Sequence, residues 1–168
     1  TPPLVSLADL REALVVNRKA VGAAAATAGV AVAALATSPM VAHPSTSGQG
    51  RYLEMTASYG LTAREQLTCG CHVHVEVDSR EEGVAVIDRI RPWLSVLLAL
   101  SCNSPFWQGE DTGYASYRGR VWGRWPSSGP TELFGSAAAY DETVESLVAT
   151  GVLMDKKGKK FVMLLSLA

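Results

Sequence analysis

The stretch CGCHVHVEV at residues 69–77 constrains the fold most, because its residue types alternate with a period of two. Side chains alternate faces along a β-strand, so the two histidines and Glu76 are predicted on one face, and the cysteines and valines on the other. One tetrahedral metal site built from both cysteines and both histidines would need ligands from opposite faces. The pattern therefore predicts a strand over roughly 66–77, and such a strand excludes a four-ligand site.

The two faces of this strand are predicted to have different roles. The apolar face is expected to pack under helices, with the two cysteines as small buried hydrophobes. A disulfide between them is disfavoured, because residues two apart on a strand have Cα atoms about 6.6–6.8 Å apart, at the long end of the separations that a disulfide can bridge. The row of His72, His74 and Glu76 is suited to bind a cation, hold phosphate oxygens or transfer protons near neutral pH. An ordinary solvent-exposed face is the alternative.

Helical patterns lie on both sides of the strand. Ser6 and Ser79 each stand three residues before an acidic residue, which is typical of N-caps, and together with Ser136 they predict the starts of three helices; Gly29 is the stop of the first. Pro92 is expected to kink or split the second of them. The predicted helices are 7–28, 51–59, one that begins after residue 79 and extends to about 98, and 137–150; the predicted strands are 30–36, 66–77 and 160–168.

Composition limits the class of protein. Hydrophobic residues make up 48% of the chain and charged residues 18%, which indicates a globular protein. The net charge of −1 gives no bulk attraction to nucleic acid or to an anionic membrane surface. The apolar runs are too short to span a bilayer, and three cysteines fit a reducing compartment. We therefore expect a cytoplasmic protein with no nucleic-acid or membrane partner.

Residues 101–130 hold six of the twelve aromatic residues and five of the fifteen glycines, and they have no sustained periodicity. A loop this long in a compact domain is usually functional, and arginine among aromatic side chains suits a two-point grip on a carboxylate or phosphate. The alternative is a rim loop whose tryptophans fill gaps in the core. His43, beside Pro44 in a second loop, is predicted to be an ordinary surface residue.

Three runs resemble the type 2 glutamate–cysteine ligase family of ATP-dependent carboxylate–amine ligases: CGCHVHVEV at 69–77, RIRPWLSVLLALSCNSPFWQGEDTGYASYRGRVWGRWP at 89–126, and TELFGS at 131–136. The resemblance covers most of residues 7–155 and is most specific in NSPFWQG and DTGYASYR. It implies an α+β, glutamine-synthetase-like fold, in which a curved, mainly antiparallel sheet carries helices on its outer face. It also implies a reaction in which ATP, with Mg²⁺, phosphorylates the γ-carboxylate of glutamate, and an amine such as that of cysteine attacks the acyl phosphate.

The resemblance further implies roles for individual residues. Arg118 is expected to be the catalytic residue and to hold a carboxylate of the acid substrate. His72, His74 and Glu76 are expected at the ATP and metal site, where His74 also faces the acid. The other residues expected to bind substrate are Asn103, Ser104 and Tyr117.

The family's pattern extends further than this chain in both directions. Family members carry an upstream strand with clustered glutamates that bind the metal, and a later strand with further acidic and arginine residues. We therefore expect residues 1–168 to form one incomplete catalytic domain, whose partners are a glutamate-like acid, an amine and a second copy in a homo-oligomer. Two alternatives remain open: a non-catalytic remnant that binds a partner or ligand, and a zinc hydrolase that uses the H-x-H strand.

Overall fold

The computed structural model describes residues 2–46, 48 and 50–154, and the contacts divide the chain into two compact units between Ala34 and Leu35. The sheet in the described residues is two-stranded and antiparallel, so the chain combines helices with β-structure as the α+β class requires. The helices are α1 (Leu7–Thr27), α2 (Gly50–Tyr59), α3 (Leu61–Arg64), α4 (Arg80–Ile90), a 3₁₀ turn (Arg91–Trp93), α5 (Leu94–Leu100), α6 (Arg118–Trp122) and α7 (Ala137–Ala149), and the strands are β1 (Phe106–Trp107) and β2 (Glu110–Asp111).

The first unit contains α1, which begins and ends as the sequence predicts. The Oγ of Ser6 accepts a hydrogen bond from the Asp9 amide at 3.1 Å, and Gly29 follows the helix with φ of 70°. No residue of α1 is buried, so local helix propensity and the N-cap define this helix. Neither α1 nor any other helix in the described residues is long and apolar enough to cross a membrane.

The second unit is organised around α4. Its N-cap is reciprocal, because the Ser79 Oγ accepts from the Glu82 amide while Glu82 Oε2 accepts from the Asp78 amide. Val84 and Ile87 are buried at 1% and 6% exposure, so this face of the helix lies in the core. At the 3₁₀ turn that contains Pro92, α4 gives way to α5, so the predicted break is confirmed.

Carboxylates of α4 hold the start of α7. Glu81 Oε2 accepts a hydrogen bond from the Ala137 amide at 3.0 Å. The two oxygens of Asp88 accept from the amides of Phe134 and Gly135, at 3.0 and 2.8 Å. These bonds satisfy amides at and before the helix N-terminus. The two hydrogen bonds to Asp88 also lower the pKa of its carboxyl below the usual value, because they favour the ionised form.

We expect Asp88→Asn to lower the melting temperature at neutral pH, because the Asn side chain offers a single carbonyl oxygen where Asp88 offers two acceptors. Since the folded-state pKa of Asp88 lies below the ordinary value of 3.8, the stabilisation is complete above that pH. It is lost as the pH falls through the folded-state pKa. Thermal unfolding between pH 2.5 and 7 tests this, with Glu132→Gln as an exposed control. If the difference in melting temperature between the wild type and Asp88→Asn does not narrow as the pH falls, the ionised Asp88 carboxylate does not provide this stabilisation.

Two of the strand predictions, for residues 30–36 and 66–77, are wrong, because neither segment forms a regular strand. Residues 30–36 form no strand, and residues 66–77 contribute one isolated antiparallel bridge, between Thr68 and Thr37. The Cys69 amide donates to the Ala36 carbonyl at 2.8 Å beside that bridge. A strand needs continuous hydrogen-bonded neighbours, which the described residues supply only at this point. The larger curved sheet therefore stays a prediction, and the strand predicted at 160–168 lies outside the described residues.

Candidate functional site

Three buried polar side chains mark the place where distant segments of the second unit meet. Thr37, Ser104 and Arg118 are exposed by only 6%, 2% and 2%, and they are the buried polar residues of the described chain. Buried polar groups are usually hydrogen-bonded, because an unsatisfied group keeps its full desolvation cost. We call these three residues and their hydrogen bonds the polar junction.

The first part of the polar junction joins the segment after Ala36 to the hairpin of β1 and β2. The Thr37 hydroxyl donates to the Phe106 carbonyl at 2.9 Å. At the base of the hairpin, the Tyr117 amide donates to the Ser104 carbonyl at 2.7 Å, and the hydroxyls of Ser104 and Ser116 lie 3.0 Å apart. The hairpin base is therefore closed directly before α6 begins.

Arg118, the first residue of α6, joins this hairpin to the CGCHVHVEV segment. Its Nε donates to the Cys69 carbonyl at 3.1 Å, and its guanidinium carbon lies 5.7 Å from the centre of the Trp122 ring. Burial lowers the pKa of the Arg118 guanidinium, and the nearby thiols of Cys69 and Cys71 act in the opposite direction. The geometry thus gives Arg118 an anchoring role; its predicted grip on a substrate carboxylate stays a prediction.

The predicted histidine row starts next to this anchor. The rings of His72 and His74 are stacked with centroids 6.0 Å apart and planes inclined by 22°, as expected for neighbours on one side of an extended segment. A Cβ on Gly70 would lie 2.8 Å from His72 Nε2 and 3.4 Å from an Arg118 Nη atom. The imidazole of His72 and the guanidinium of Arg118 therefore approach the same glycine. Both histidines and Glu76 are exposed.

The prediction that the opposite side of this segment packs into the core is wrong. Cys69 and Cys71 are exposed free thiols, and Val73 and Val75 are 70% and 78% exposed. A side chain becomes buried only when another element covers it, and the segment has no regular strand neighbour in the part of the chain that the structure describes. Alternation correctly predicted the pairing of the histidines but could not predict what covers the other face.

The described side chains do not assemble a metal site. Within residues 2–46, 48 and 50–154, no three His, Cys, Asp or Glu side chains come together as a group that could hold a metal ion. Mg²⁺ prefers several oxygen ligands, and Glu76 is the only carboxylate in the segment 69–77. These residues therefore do not fit Mg²⁺ on their own, and the zinc alternative lacks its third ligand among them.

Sequence reasoning missed the hairpin inside the long aromatic segment. Strands β1 and β2 pair antiparallel, with Phe106 opposite Asp111, and the two-residue turn Gln108–Gly109 has positive φ at both positions. Such a turn suits the twist of a tight hairpin. The only available signal was a glycine between two short runs, which is weak without an Asn or Asp before it. Asn103, the remaining predicted site residue, is exposed just before the hairpin.

Comparison with known proteins identifies the family. The family model described as glutamate-cysteine ligase family 2 matches residues 1–167. A Streptomyces avermitilis protein named "Putative glutamate--cysteine ligase 2-1" is 60% identical, over 92% of this chain and 43% of the relative. A Frankia alni protein named "Putative glutamate--cysteine ligase 2-2" is 58% identical, over 91% of this chain and 40% of the relative.

The chain therefore belongs to glutamate–cysteine ligase family 2. A Streptomyces coelicolor protein named "Putative glutamate--cysteine ligase 2" is 57% identical over 92% of this chain and 43% of its own length. The chain thus spans about two-fifths of the length of these curated relatives. No solved structure gives a significant match.

Proposed function

We propose that this chain is part of an ATP-dependent carboxylate–amine ligase that joins the γ-carboxylate of glutamate to an amine such as that of cysteine. The observation that most supports this is the polar junction. Arg118 ties the CGCHVHVEV segment to the hairpin segment, so two of the runs that resemble the family meet at one place. Family membership and the names of the relatives support the same activity.

The side chains in and around the junction, of which Arg118 and Ser104 are buried while His72, His74 and Asn103 are exposed, have the chemistry that this reaction needs. The imidazoles of His72 and His74 can donate hydrogen bonds to phosphate oxygens. Arg118 and Tyr117, with Asn103 and Ser104, are proposed to orient the carboxylates of the acid substrate. Such positioning dominates phosphoryl transfer, because the protein itself has little covalent chemistry to perform.

ATP supplies the phosphoryl group that turns the γ-carboxylate into an acyl phosphate, and the amine displaces that phosphate to form the amide. We propose ATP and Mg²⁺ as the cofactors and the cytoplasm as the site of the reaction. Glu76 with His72 and His74 is proposed to contribute to the ATP and metal site. We assign no step to Mg²⁺, since the described residues do not assemble its ligands.

A non-catalytic binding module is the second candidate. The observation that favours it is that residues 2–46, 48 and 50–154 bring no group of metal ligands together, because a module of this kind can retain an acid-binding surface without turnover. In that case glutamate would bind and no acyl phosphate would form.

Trapping with hydroxylamine separates the two candidates. Hydroxylamine converts an acyl phosphate into a stable hydroxamate, so in a full-length form of the protein we expect γ-glutamyl hydroxamate from glutamate, ATP and Mg²⁺, and none when ATP is replaced by a non-hydrolysable analogue. Aspartate, shorter by one methylene, serves as the substrate control. Glutamate binding without hydroxamate would favour the binding module. Hydroxamate formation that does not depend on ATP, or stoichiometric zinc, would contradict the ligase.

A further inference from the structure

The tip of the β1–β2 hairpin contains a backbone conformation that side chains rarely adopt. Gln108 has φ of 53° and is the one non-glycine residue with positive φ among those described. Asn and Asp tolerate this region better than Gln, whose longer side chain does not stabilise the backbone locally. A strained residue persists when its surroundings hold it, and such residues concentrate at functional sites.

The Gln108 side chain makes the hydrogen bonds that hold this backbone conformation in place. Its Oε1 accepts from the Ala42 amide at 3.2 Å, and its Nε2 donates to the Ala42 carbonyl at 2.9 Å. One side-chain amide thus satisfies both backbone groups of a residue 66 positions away, as a neighbouring strand would. Gly109 also lies close to this segment, since a Cβ on Gly109 would be 3.2 Å from Cγ2 of Val41.

The hairpin is therefore held at three points: its tip, its first strand and its base. Its tip is bound to Ala42 by Gln108, its first strand to Thr37 through the Phe106 carbonyl, and its base is closed between Ser104 and Tyr117. A short two-stranded hairpin is not stable by itself in water, so these attachments decide where it lies. The residues proposed to bind the acid substrate lie at its base.

We propose that Gln108 is a positioning residue, whose side-chain amide fixes the hairpin on the Val41–Ala42 backbone and so sets the position of the acid-binding residues at the hairpin base. This inference rests on the proposed function. Gln108 acts through the hairpin and does not itself touch the substrate. Gln suits the position because it is long enough to reach Ala42 and carries both a donor and an acceptor.

Gln108→Gly separates positioning from stability. Glycine adopts positive φ without a steric cost, so the relief of backbone strain offsets the two lost hydrogen bonds, and the melting temperature is expected to change little. Gln108→Glu keeps the length but replaces the donor with a carboxylate oxygen that faces the Ala42 carbonyl. Glu110→Gln, an exposed change in the same hairpin, is the control.

The experiment measures glutamate binding by calorimetry, with Mg²⁺ and a non-hydrolysable ATP analogue present, and hydrogen exchange of the Ala42 amide. For Gln108→Gly we expect faster exchange at Ala42 and glutamate affinity reduced by at least about fivefold, the equivalent of one net hydrogen bond. Gln108→Glu is expected to weaken binding as well, while Glu110→Gln leaves both readouts unchanged.

Three other outcomes would overturn the attachment, the positioning role or the proposed function. If Ala42 exchange in Gln108→Gly equals that of the wild type, the side-chain attachment does not form in solution, and the inference is overturned. If exchange accelerates while glutamate affinity stays at the wild-type value, the attachment is structural only, and the positioning role is overturned alone. A wild-type protein that binds no glutamate overturns both this role and the proposed function.

Discussion

Arg118→Met is expected to lower the free energy of unfolding by about 2–4 kcal/mol, the range for loss of a buried, charge-assisted hydrogen bond. Methionine fills a similar volume but leaves the Cys69 carbonyl without its 3.1 Å partner, and it removes the cation above the Trp122 ring. Because Arg118 is only 2% exposed, water cannot readily replace these contacts. Urea unfolding measures the change.

A neighbouring arginine provides the control. Arg120 lies in the same helix but is exposed, with its guanidinium carbon 5.8 Å from the centre of the Tyr114 ring. Arg120→Met should cost less than about 1 kcal/mol, as is usual for an exposed contact. Equal losses for the two variants would contradict the central place of Arg118 in the polar junction.

Arg118→Lys tests the substrate role of the same residue. Lysine keeps the positive charge but not the planar fork that grips a carboxylate at two points. In a protein form that turns over, KM for glutamate should rise about tenfold or more while KM for ATP stays nearly constant. An unchanged KM for glutamate would remove the proposed contact with the acid and leave Arg118 as a structural anchor.

Helices α1, α2, α4, α5 and α7 could be predicted closely from the sequence, because their signals are local, whereas the short helices α3 and α6 were not predicted. Ser6, Ser79 and Ser136 each cap the helix that follows, as expected, and for Ser6 and Ser79 the acidic residue three positions later was the signal. Pro92 marks the break between α4 and α5 for the same reason: it lacks an amide hydrogen and restricts the backbone of its neighbours. Such features need no knowledge of distant parts of the chain.

The strands and the polar junction could not be predicted in this way, because they depend on distant partners. The alternation in CGCHVHVEV correctly placed His72 and His74 side by side, yet it could not supply the neighbouring strands that would bury the valines. The attachment of Arg118 to Cys69 spans 49 residues, and no local pattern indicates it. Family resemblance indicated Arg118 and Ser104. Gln108 lies in the run NSPFWQG of the same resemblance but was given no role, and Thr37 carried no signal.

Gly70→Ala is expected to impair the site with little effect on stability. The new Cβ would lie 2.8 Å from His72 Nε2 and 3.1 Å from its Cδ2, so the ring must move. His72 is exposed, and its side chain can rotate away at low cost, which keeps the melting temperature near the wild-type value. The rotation carries the imidazole away from residue 70 and disturbs its stacking on His74. If His72 contributes to the ATP site, a displacement of this size reduces kcat/KM for ATP by up to about a hundredfold.

Gly119→Ala is the matched control, because it makes the same chemical change one residue from Arg118. A Cβ there meets only Leu98 Cδ1, at an ordinary 4.0 Å, and a helical alanine is favoured over glycine by up to about 1 kcal/mol. We therefore expect Gly119→Ala to retain wild-type kcat/KM and a melting temperature at or above that of the wild type. Wild-type kinetics for Gly70→Ala would place His72 outside the ATP site. A large loss of stability in Gly70→Ala would instead mean that the ring is held in place, and that the packing of His72 against Gly70 contributes to the fold.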